Sequence, residues 1–286
     1  MKLGRRTVPY ALLAPGAVWL VLFFVVPLYY MGKLSLESGT VGSLEFSWHW
    51  ANYSDALSLY DTQFVRSFLY AGAATAIALV LAYPLAYVIA FKAGKWRHAL
   101  LFAVIAPFFT TYLIRTLAWE TILSDQSPVV ELLDTLGLAP EGHVLATGGA
   151  VIAGLTYNFL PFMILPIYAS LDRIDVRLIE AAKDLYASAA GAFWRVTLPL
   201  SAPGVVAGTL LTFIPASGDY VNAQFLGSAG NQMIGNVIQS LYLKQTNYPS
   251  AAALSFVLTA LIMVAVLIYI RFAGSEALMG EEVERR

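Results

Sequence analysis

The sequence contains no cysteine and only three histidines. Disulfides, thiolate metal sites and cysteine nucleophiles are therefore excluded. The three histidines, His49, His98 and His143, are scattered, and none has a second histidine three or four residues away. A metal site built on histidine pairs is therefore not expected.

A phosphate-binding Gly-x-x-x-x-Gly-Lys-Ser/Thr loop is also missing, because Gly94-Lys95 is followed by Trp96. The chain cannot hydrolyse ATP by that route, and we expect it to hold no cofactor of its own. Its net charge of −1 gives no basis for binding nucleic acid.

Charge is scarce as well. Charged residues make up 12% and hydrophobic residues 59% of the chain, whereas soluble domains carry about 25% charged residues. This composition predicts an integral membrane protein surrounded by lipid. The first apolar run is longer than the apolar core of a signal peptide, about 7–15 residues, and it lacks a clear cleavage site. We therefore interpret it as a retained membrane span.

Six stretches are long enough to cross a bilayer as helices, which takes about 20 apolar residues. The fifth is the shortest and is interrupted by Gly208, Pro215 and Gly218. The sequence therefore predicts an all-α membrane protein with six transmembrane helices. The predicted spans are Val8–Met31, Ser67–Phe91, His98–Trp119, Gly148–Leu171, Pro203–Tyr220 and Ser250–Phe272.

Most of the 17 lysines and arginines fall on one side of this topology; only Lys33, Arg66 and Lys244 fall on the other, and Arg115 lies within a span. Basic residues concentrate in cytoplasmic segments, so we expect both termini in the cytoplasm. The expected organisation is a cytoplasmic N-terminus (1–7), one transmembrane domain (8–272) with a cytoplasmic loop at 172–202, and a cytoplasmic tail (273–286).

The cytoplasmic loop between the fourth and fifth spans is more polar than the two apolar spans that flank it. Asp175 is a candidate N-cap for its first helix, and a second short helix is predicted from Ala192 to Leu198, ending at Pro199. Apolar residues of the first helix recur on one face, at Leu178, Ala182, Leu185 and Ala189. Such a helix either lies on the membrane or docks on a protein; the small alanines and the mixed charges favour docking.

Glu180-Ala181-Ala182, followed after a bend by Leu198-Pro199 and Pro203-Gly204, resembles the EAA loop of permease subunits of ABC importers. In that family the loop is the coupling helix, which inserts into a cleft of the cytoplasmic ATPase. The resemblance assigns ATPase coupling to Glu180, Ala181, Ala182, Asp184, Leu185, Tyr186, Ala187 and Gly191.

The family carries glycine at the position of Tyr186. Glycine suits a left-handed backbone at a helix end, and tyrosine in that conformation costs about 1 kcal/mol. We therefore expect the bend to be reshaped, with Gly191 sharing its flexibility.

The resemblance covers most of the chain. Residues 107–119 (PFFTTYLIRTLAW) resemble the third span of spermidine/putrescine-type permeases, and residues 214–221 with 224–227 and 234–238 resemble their fifth span and following loop. The resemblance implies a type I ABC importer permease fold in a bacterial inner membrane and a polyamine substrate. It also implies a second permease subunit, two ATP-binding cassette subunits that bind ATP and Mg, and an extracytoplasmic substrate-binding protein.

Ionisable residues inside spans usually face a cavity or a partner. At 1.5 Å per residue, Arg115 and Asp219 lie at similar depth; they either pair or line the outer mouth of a pathway. Arg115 is also long enough to reach outer headgroups. The candidate pathway residues are Asp219, Arg115, Tyr157, Asn158 and Tyr220; for Asn158 the alternative is an interhelical hydrogen bond, and for the aromatic residues and Trp119 it is an interfacial belt.

Other functions remain as alternatives. The substrate of the importer is alternatively an opine, ferric iron or an organic phosphate. A channel without an energy source is a rival of another class. An intramembrane hydrolase would need a serine with a histidine on another span, and no histidine follows His143.

Overall fold

The computed structural model of the protein describes residues 8–39, 42–137 and 142–273. Six helical stretches in it are long and apolar enough to cross a membrane when a bent pair is counted as one, which confirms the predicted number. In chain order, these first to sixth spans are Leu12–Ser35, Asp61–Phe91, Gly94–Phe109 with Tyr112–Ile122, Gly148–Asp172, Ala189–Ser217 and Tyr248–Phe272. The expected N-terminus (1–7) and all but the first residue of the expected tail (273–286) lie outside the described residues.

The helices of the spans are α-helices with a few tighter or wider turns. Their bounds are Val8–Leu20, Val21–Val25 (π) and Val26–Ser35; Asp61–Phe91; Gly94–Trp96 (3₁₀), Arg97–Ile105, Ala106–Phe109 (3₁₀) and Tyr112–Ile122; Gly148–Asp172; Ala189–Ala192, Phe193–Thr197 (π) and Leu198–Ser217; and Tyr248–Ala273. The described helices between the spans are Ala51–Leu59, Pro128–Thr135, Val176–Asp184, Val221–Leu226, Ala229–Asn231 (3₁₀) and Ile234–Leu243.

The chain forms two compact units, whose boundaries fall within helices. The first unit contains the chain up to Asp61 and Val237–Ala260. In it, the strands Glu37–Ser38 and Glu45–Phe46 pair antiparallel, with Glu37 opposite Phe46. The side chain of Asn52 donates to the carbonyls of Ser35 (2.9 Å) and Glu37 (3.0 Å), which ties the helix Ala51–Leu59 to the end of the first span.

The second unit contains Thr62–Asn236 and the chain from Leu261 onward. Its core follows a stripe of buried alanines along the second span, at Ala71, Ala74, Ala78, Ala82 and Ala86. Small side chains let neighbouring helices approach closely. The stripe joins two apolar clusters, one around Leu155 and Leu226 and the other around Ile164 and Ile167.

The third span is broken. Its two halves meet at an angle of 95°, with Thr110 and Thr111 between them. Both residues have extended backbone, with φ/ψ of −101°/140° at Thr110 and −62°/148° at Thr111. The predicted span His98–Trp119 treats this region as one straight helix, although Pro107 lies three residues before Thr110.

Backbone contact joins the fourth and fifth spans. A Cβ atom on Gly204 would lie 2.5 Å from the carbonyl oxygen of Pro166 and 2.9 Å from Cα of Ile167, and one on Gly208 would lie 2.9 Å from Sδ of Met163. The two glycines are four residues apart and therefore lie on one helix face. They form a small-residue interface of the kind that packs membrane helices tightly.

The prediction of a separate helix from Ala192 to Leu198 ending at Pro199 is wrong. The helix begins at Ala189 and continues through Pro199 into the fifth span, so this span starts well before Pro203. Proline lacks an N–H group and normally interrupts the helical hydrogen bonds. Here the wide turn Phe193–Thr197 ends two residues before Pro199, and such turns accommodate local distortions of a helix.

Candidate functional site

The first candidate site is the connector, defined as residues 173–188 between the fourth and fifth spans. Its helix runs from Val176 to Asp184, and the carboxylate of Asp175 accepts the backbone N–H of Arg177 at 2.9 Å. The predicted N-cap is therefore confirmed.

The predicted apolar face of the connector helix differs from the face that is buried. Ile179 is buried in the core cluster and Ala182 packs against it, whereas Leu178 and Leu185 are exposed. Of the four residues predicted on one face, Leu178, Leu185 and Ala189 are thus exposed and only Ala182 packs inward, and Ala189 belongs to the next helix. A helix of nine residues buries only a narrow stripe, and Ile179 occupies it.

The connector helix ends in a Schellman motif. The N–H of Tyr186 donates to the carbonyl of Lys183 (2.9 Å), and the N–H of Ala187 donates to the carbonyl of Ala182 (3.1 Å). This motif places its residue after the helix cap in the left-handed region, where glycine is the usual choice. Tyr186 occupies that position with φ of +61°, at a cost of about 1 kcal/mol.

The expected reshaping of the bend is therefore not found. Tyr186 keeps the left-handed conformation that glycine would adopt, and Gly191 is an ordinary helical residue near the start of the next helix. The hydroxyl of Ser188 caps that helix by accepting the N–H of Gly191 at 3.1 Å.

The connector presents its predicted coupling residues to solvent. Tyr186 is 99% exposed and Leu185 is 81% exposed. Of the other predicted residues, Glu180, Ala181 and Asp184 are exposed, while Ala182, Ala187 and Gly191 are half-buried. The outward surface therefore consists of Glu180, Ala181, Asp184, Leu185 and Tyr186, whereas Ala182 packs against the core cluster.

An ion pair holds the base of the connector. Nη2 of Arg97, at the start of the third span, lies 2.5 Å from Oδ1 of Asp172, the last residue of the fourth span helix. Nε of Arg97 donates to the hydroxyl of Tyr168 at 2.5 Å, and the guanidinium lies 5.1 Å from the centre of that ring. Sequence reasoning did not single out this pair.

The second candidate site is a buried polar cluster of Tyr112, Thr116, Asn158, Asp219 and Asn222. The hydroxyl of Tyr112 donates to Oδ2 of Asp219 at 2.5 Å, and Oδ1 of Asp219 accepts the backbone N–H of Asn222 at 2.8 Å. The amide of Asn222 donates to the Tyr112 hydroxyl (2.5 Å) and to Asp219 (3.2 Å). The cluster thus joins the third span to the segment after the fifth.

Asn158, in the fourth span, bonds to two members of this cluster. It is 1% exposed, and its amide donates to Oδ1 of Asn222 at 3.1 Å and to the hydroxyl of Thr116 at 3.4 Å. The interhelical hydrogen bond that the sequence left as an alternative is therefore present.

Arg115 and Asp219 form no ion pair within the described residues. Tyr112 stands between them: its hydroxyl binds Asp219, and the Arg115 guanidinium lies 5.6 Å from its ring centre and 5.0 Å from that of Phe108. Arg115 is 8% exposed, and neither Nε nor Nη1 has an acceptor among the described residues. An Arg115 side chain that extends to the outer lipid headgroups therefore does not explain why an arginine lies within this span.

The remaining aromatic candidates occupy different positions. Tyr157 and Trp119 are half-buried with ring centres 5.4 Å apart, and Trp119 packs against the core cluster. Tyr220 follows Asp219 in the chain and is exposed. Within residues 8–39, 42–137 and 142–273, no group of three or more acidic or histidine side chains is placed to hold a metal ion.

A helix connector with a Glu-Ala-Ala motif between the fourth and fifth of six spans agrees with the sequence comparison. The sequence model of the family described as "Binding-protein-dependent transport system inner membrane component" matches residues 6–275. The chain belongs to this family.

Curated relatives of this permease cover nearly its whole length. It is 37% identical to the spermidine/putrescine transport system permease protein PotB of Escherichia coli (strain K12), and the alignment covers 93% of this chain and 97% of that protein. It is 36% identical to the protein of the same name from Haemophilus influenzae (strain ATCC 51907 / DSM 11121 / KW20 / Rd), over 93% of both chains. The permease is thus a multi-pass inner membrane protein and a transport subunit of an ABC importer.

The fold is that of a type I ABC importer permease. A chain from the crystal structure of a bacterial ABC transporter involved in the import of the acidic polysaccharide alginate superimposes with a TM-score of 0.66. The alignment covers 94% of this permease and 96% of that chain at 18% identity. The predicted fold class is therefore confirmed.

Asn222 is, with Thr116, a member of the polar cluster that sequence reasoning missed. It is fully buried and bonds to Tyr112, Asp219 and Asn158. A signal was present, because an aspartate just before a short helix commonly accepts a backbone N–H of the first helical turn. The signal predicts the backbone bond from Asn222 to Asp219, and it says nothing of the side-chain contacts.

Proposed function

We propose that this permease subunit imports polyamines, such as spermidine and putrescine, in an ATP-driven complex. The observation that carries the substrate is the near full-length similarity to two permeases named for spermidine/putrescine transport. The polar cluster is compatible with it, because Asp219 supplies a carboxylate and Tyr112 and Tyr220 supply rings that suit an ammonium ion.

Both termini and the connector lie in the cytoplasm in this proposal. The support is the distribution of lysine and arginine, since only Lys33, Arg66 and Lys244 fall in the loops assigned to the other side. Residues 8–272 then act as one transmembrane domain with cytoplasmic segments at 1–7 and 273–286.

ATP hydrolysis resides in partner subunits. The permease sequence has no phosphate-binding loop, so ATP and Mg belong to two ATP-binding cassette subunits. The connector is the surface that receives their movement, because it exposes Glu180 and Asp184 while Ile179 anchors it to the membrane helices. Closure of the ATPases moves the connector, and the spans switch from inward-facing to outward-facing.

The complex also contains a second permease subunit and an extracytoplasmic binding protein. A fold neighbour was crystallised as the bacterial alginate ABC transporter in complex with alginate pentasaccharide-bound periplasmic protein. By analogy in architecture, the binding protein delivers the polyamine to the outer side of the spans.

Asp219 is the proposed contact for substrate on the pathway, with Tyr220, Arg115, Tyr157 and Asn158 around it. In the present conformation Asp219 is 8% exposed and bonds to Tyr112 and Asn222. An ammonium group takes the place of the Tyr112 hydroxyl when the pathway opens. Arg115, held over the Tyr112 ring, limits how many positive charges the site accepts at once.

The coupling role is tested by reversing charge on the connector. Glu180→Lys combined with Asp184→Lys is expected to abolish uptake and to release the ATPase, because two exposed carboxylates become cations. The matched control is Glu131→Lys with Asp134→Lys, two exposed carboxylates of the helix Pro128–Thr135, which leaves the association of the ATPase unchanged. Normal assembly and uptake in the Glu180/Asp184 variant would disprove the coupling role.

The substrate is tested in proteoliposomes with the full complex. A binding protein loaded with polyamines is expected to stimulate ATPase activity, whereas one offered sugars or anions does not. Stimulation only by an opine, ferric iron or an organic phosphate would replace the polyamine assignment. Uptake that persists without the ATPase subunits would instead identify a channel.

A further inference from the structure

The tip of the connector, Leu185 with Tyr186, carries two large apolar side chains that contribute nothing to the fold. Tyr186 is 99% exposed and Leu185 is 81% exposed. Among the described residues, the Tyr186 ring has no aromatic partner within stacking distance and its hydroxyl has no hydrogen bond. The ring is therefore presented entirely to the surroundings of the chain.

The backbone under this ring is strained. Tyr186 has φ of +61°, a region that residues other than glycine seldom occupy and that bulky residues occupy least. The hydrogen bonds of the Schellman motif, from the N–H groups of Tyr186 and Ala187, involve only backbone atoms. Glycine would form them equally well and without strain. Residues held in unfavourable conformations concentrate at functional sites.

We propose that Tyr186 is an aromatic anchor that inserts into an apolar pocket of the ATPase subunit and selects for an ATPase that has this pocket. This inference rests on the proposed function, which places the connector against that subunit. It adds that the cognate ATPase provides an apolar wall and one polar group for the phenol.

The surroundings of the tip favour a protein partner. Tyrosine is one of the residues that dominate binding energy in protein interfaces, and such residues are typically surrounded by a polar rim. Here the rim consists of Glu180, Lys183 and Asp184, which are all exposed. The two carboxylates disfavour insertion into a lipid surface, since membrane-binding helices are rich in lysine and arginine on the polar face.

The test distinguishes the effect of the Tyr186 ring on ATPase binding from the effect of the strained backbone. Tyr186→Gly removes both, Tyr186→Asn removes the ring and tolerates the left-handed backbone, and Tyr186→Phe keeps both. The full-length permease with its partner permease is placed in nanodiscs, and the affinity of the purified ATPase subunit is measured. Thermal stability of each permease pair is measured in parallel.

Tyr186→Gly and Tyr186→Asn are expected to weaken ATPase binding by at least about tenfold, as loss of a central anchor does, while Tyr186→Phe stays within about threefold. Thermal stability of the glycine variant is equal to or above that of the wild type, so misfolding cannot explain the loss. Val129→Ala, an exposed apolar residue on the helix Pro128–Thr135 outside the connector, is the control and binds normally. ATPase binding by Tyr186→Gly that equals or exceeds the wild type would overturn the proposal.

A second measurement uses the absence of cysteine from the chain. The single cysteine in Tyr186→Cys is expected to react with a water-soluble maleimide in membranes without the ATPase and to be protected when the ATPase is added. Protection by lipid alone would overturn the proposal in favour of a membrane contact. If Glu180→Lys with Asp184→Lys loses ATPase binding but Tyr186→Gly does not, the anchor is wrong and the coupling role stands.

Discussion

The guanidinium of Arg97 and the carboxylate of Asp172 join the start of the third span to the end of the fourth, with Nη2 and Oδ1 2.5 Å apart. Asp172 lies three residues before the connector cap Asp175. The pair therefore connects the connector to a helix that is not its neighbour in the chain.

Reversing one charge of this pair is expected to reduce uptake severalfold. Arg97→Glu and Asp172→Arg each place like charges together, and the double variant restores attraction and recovers part of the activity. Recovery is partial because Arg97 also donates to Tyr168. Uptake and ATPase stimulation are measured in the same vesicles.

Arg173→Glu is the control for this experiment. Arg173 is the exposed neighbour of Asp172 and forms no ion pair with any residue that the structure describes. Its reversal is expected to leave uptake near the wild-type rate. A double variant no more active than the worse single variant would show that the attraction between the two side chains is irrelevant.

Asp219→Asn is expected to impair uptake while the complex still assembles. Asparagine preserves shape and can still accept from Tyr112, but it removes the negative charge that attracts an ammonium ion. Tyr112→Phe is the matched variant: it removes one hydrogen bond to Asp219 and leaves the charge, so its loss of uptake is smaller. Equal uptake by Asp219→Asn and the wild type would reduce Asp219 to a structural residue.

Gly204→Ala is expected to destabilise the permease by about 1–3 kcal/mol, the usual cost of overpacking. Its Cβ would lie 2.6 Å from Cβ of Ser170, in addition to the contact with the Pro166 carbonyl. Gly72→Ala is the control, since a Cβ there meets nothing within 4 Å. Thermal unfolding of the purified complex checks this, and similar melting temperatures for both variants would contradict the close packing.

The number and order of the spans could be predicted because hydropathy alone determines them. The break in the third span was not predicted although Pro107 precedes it, because proline is tolerated within transmembrane helices and does not by itself indicate a break. The start of the fifth span was misplaced because Pro199 is a strong signal for the end of a helix. The wide turn Phe193–Thr197 that accommodates this proline has no sequence signature.

The connector likewise has some features that the sequence predicts and others that it does not. The Asp175 cap follows from local chemistry and was predicted. The conformation of Tyr186 was predicted wrongly, because propensity favours reshaping the bend whereas the backbone hydrogen bonds of the whole helix end fix it. The hydrogen bonds of Asn222 depend on three separate helices, and no local pattern reveals them.

The bend in the third span gives its two halves different attachments. In the first half, Arg97 forms an ion pair at the base of the connector. In the second half, Tyr112 donates a hydrogen bond to Asp219, which follows the fifth span. Thr110 and Thr111 form the bend between these two attachments. In the proposed coupling, a movement of the connector acts through Arg97 on the first half of the third span, and it changes the position of Tyr112 by rotation at the bend between the two halves.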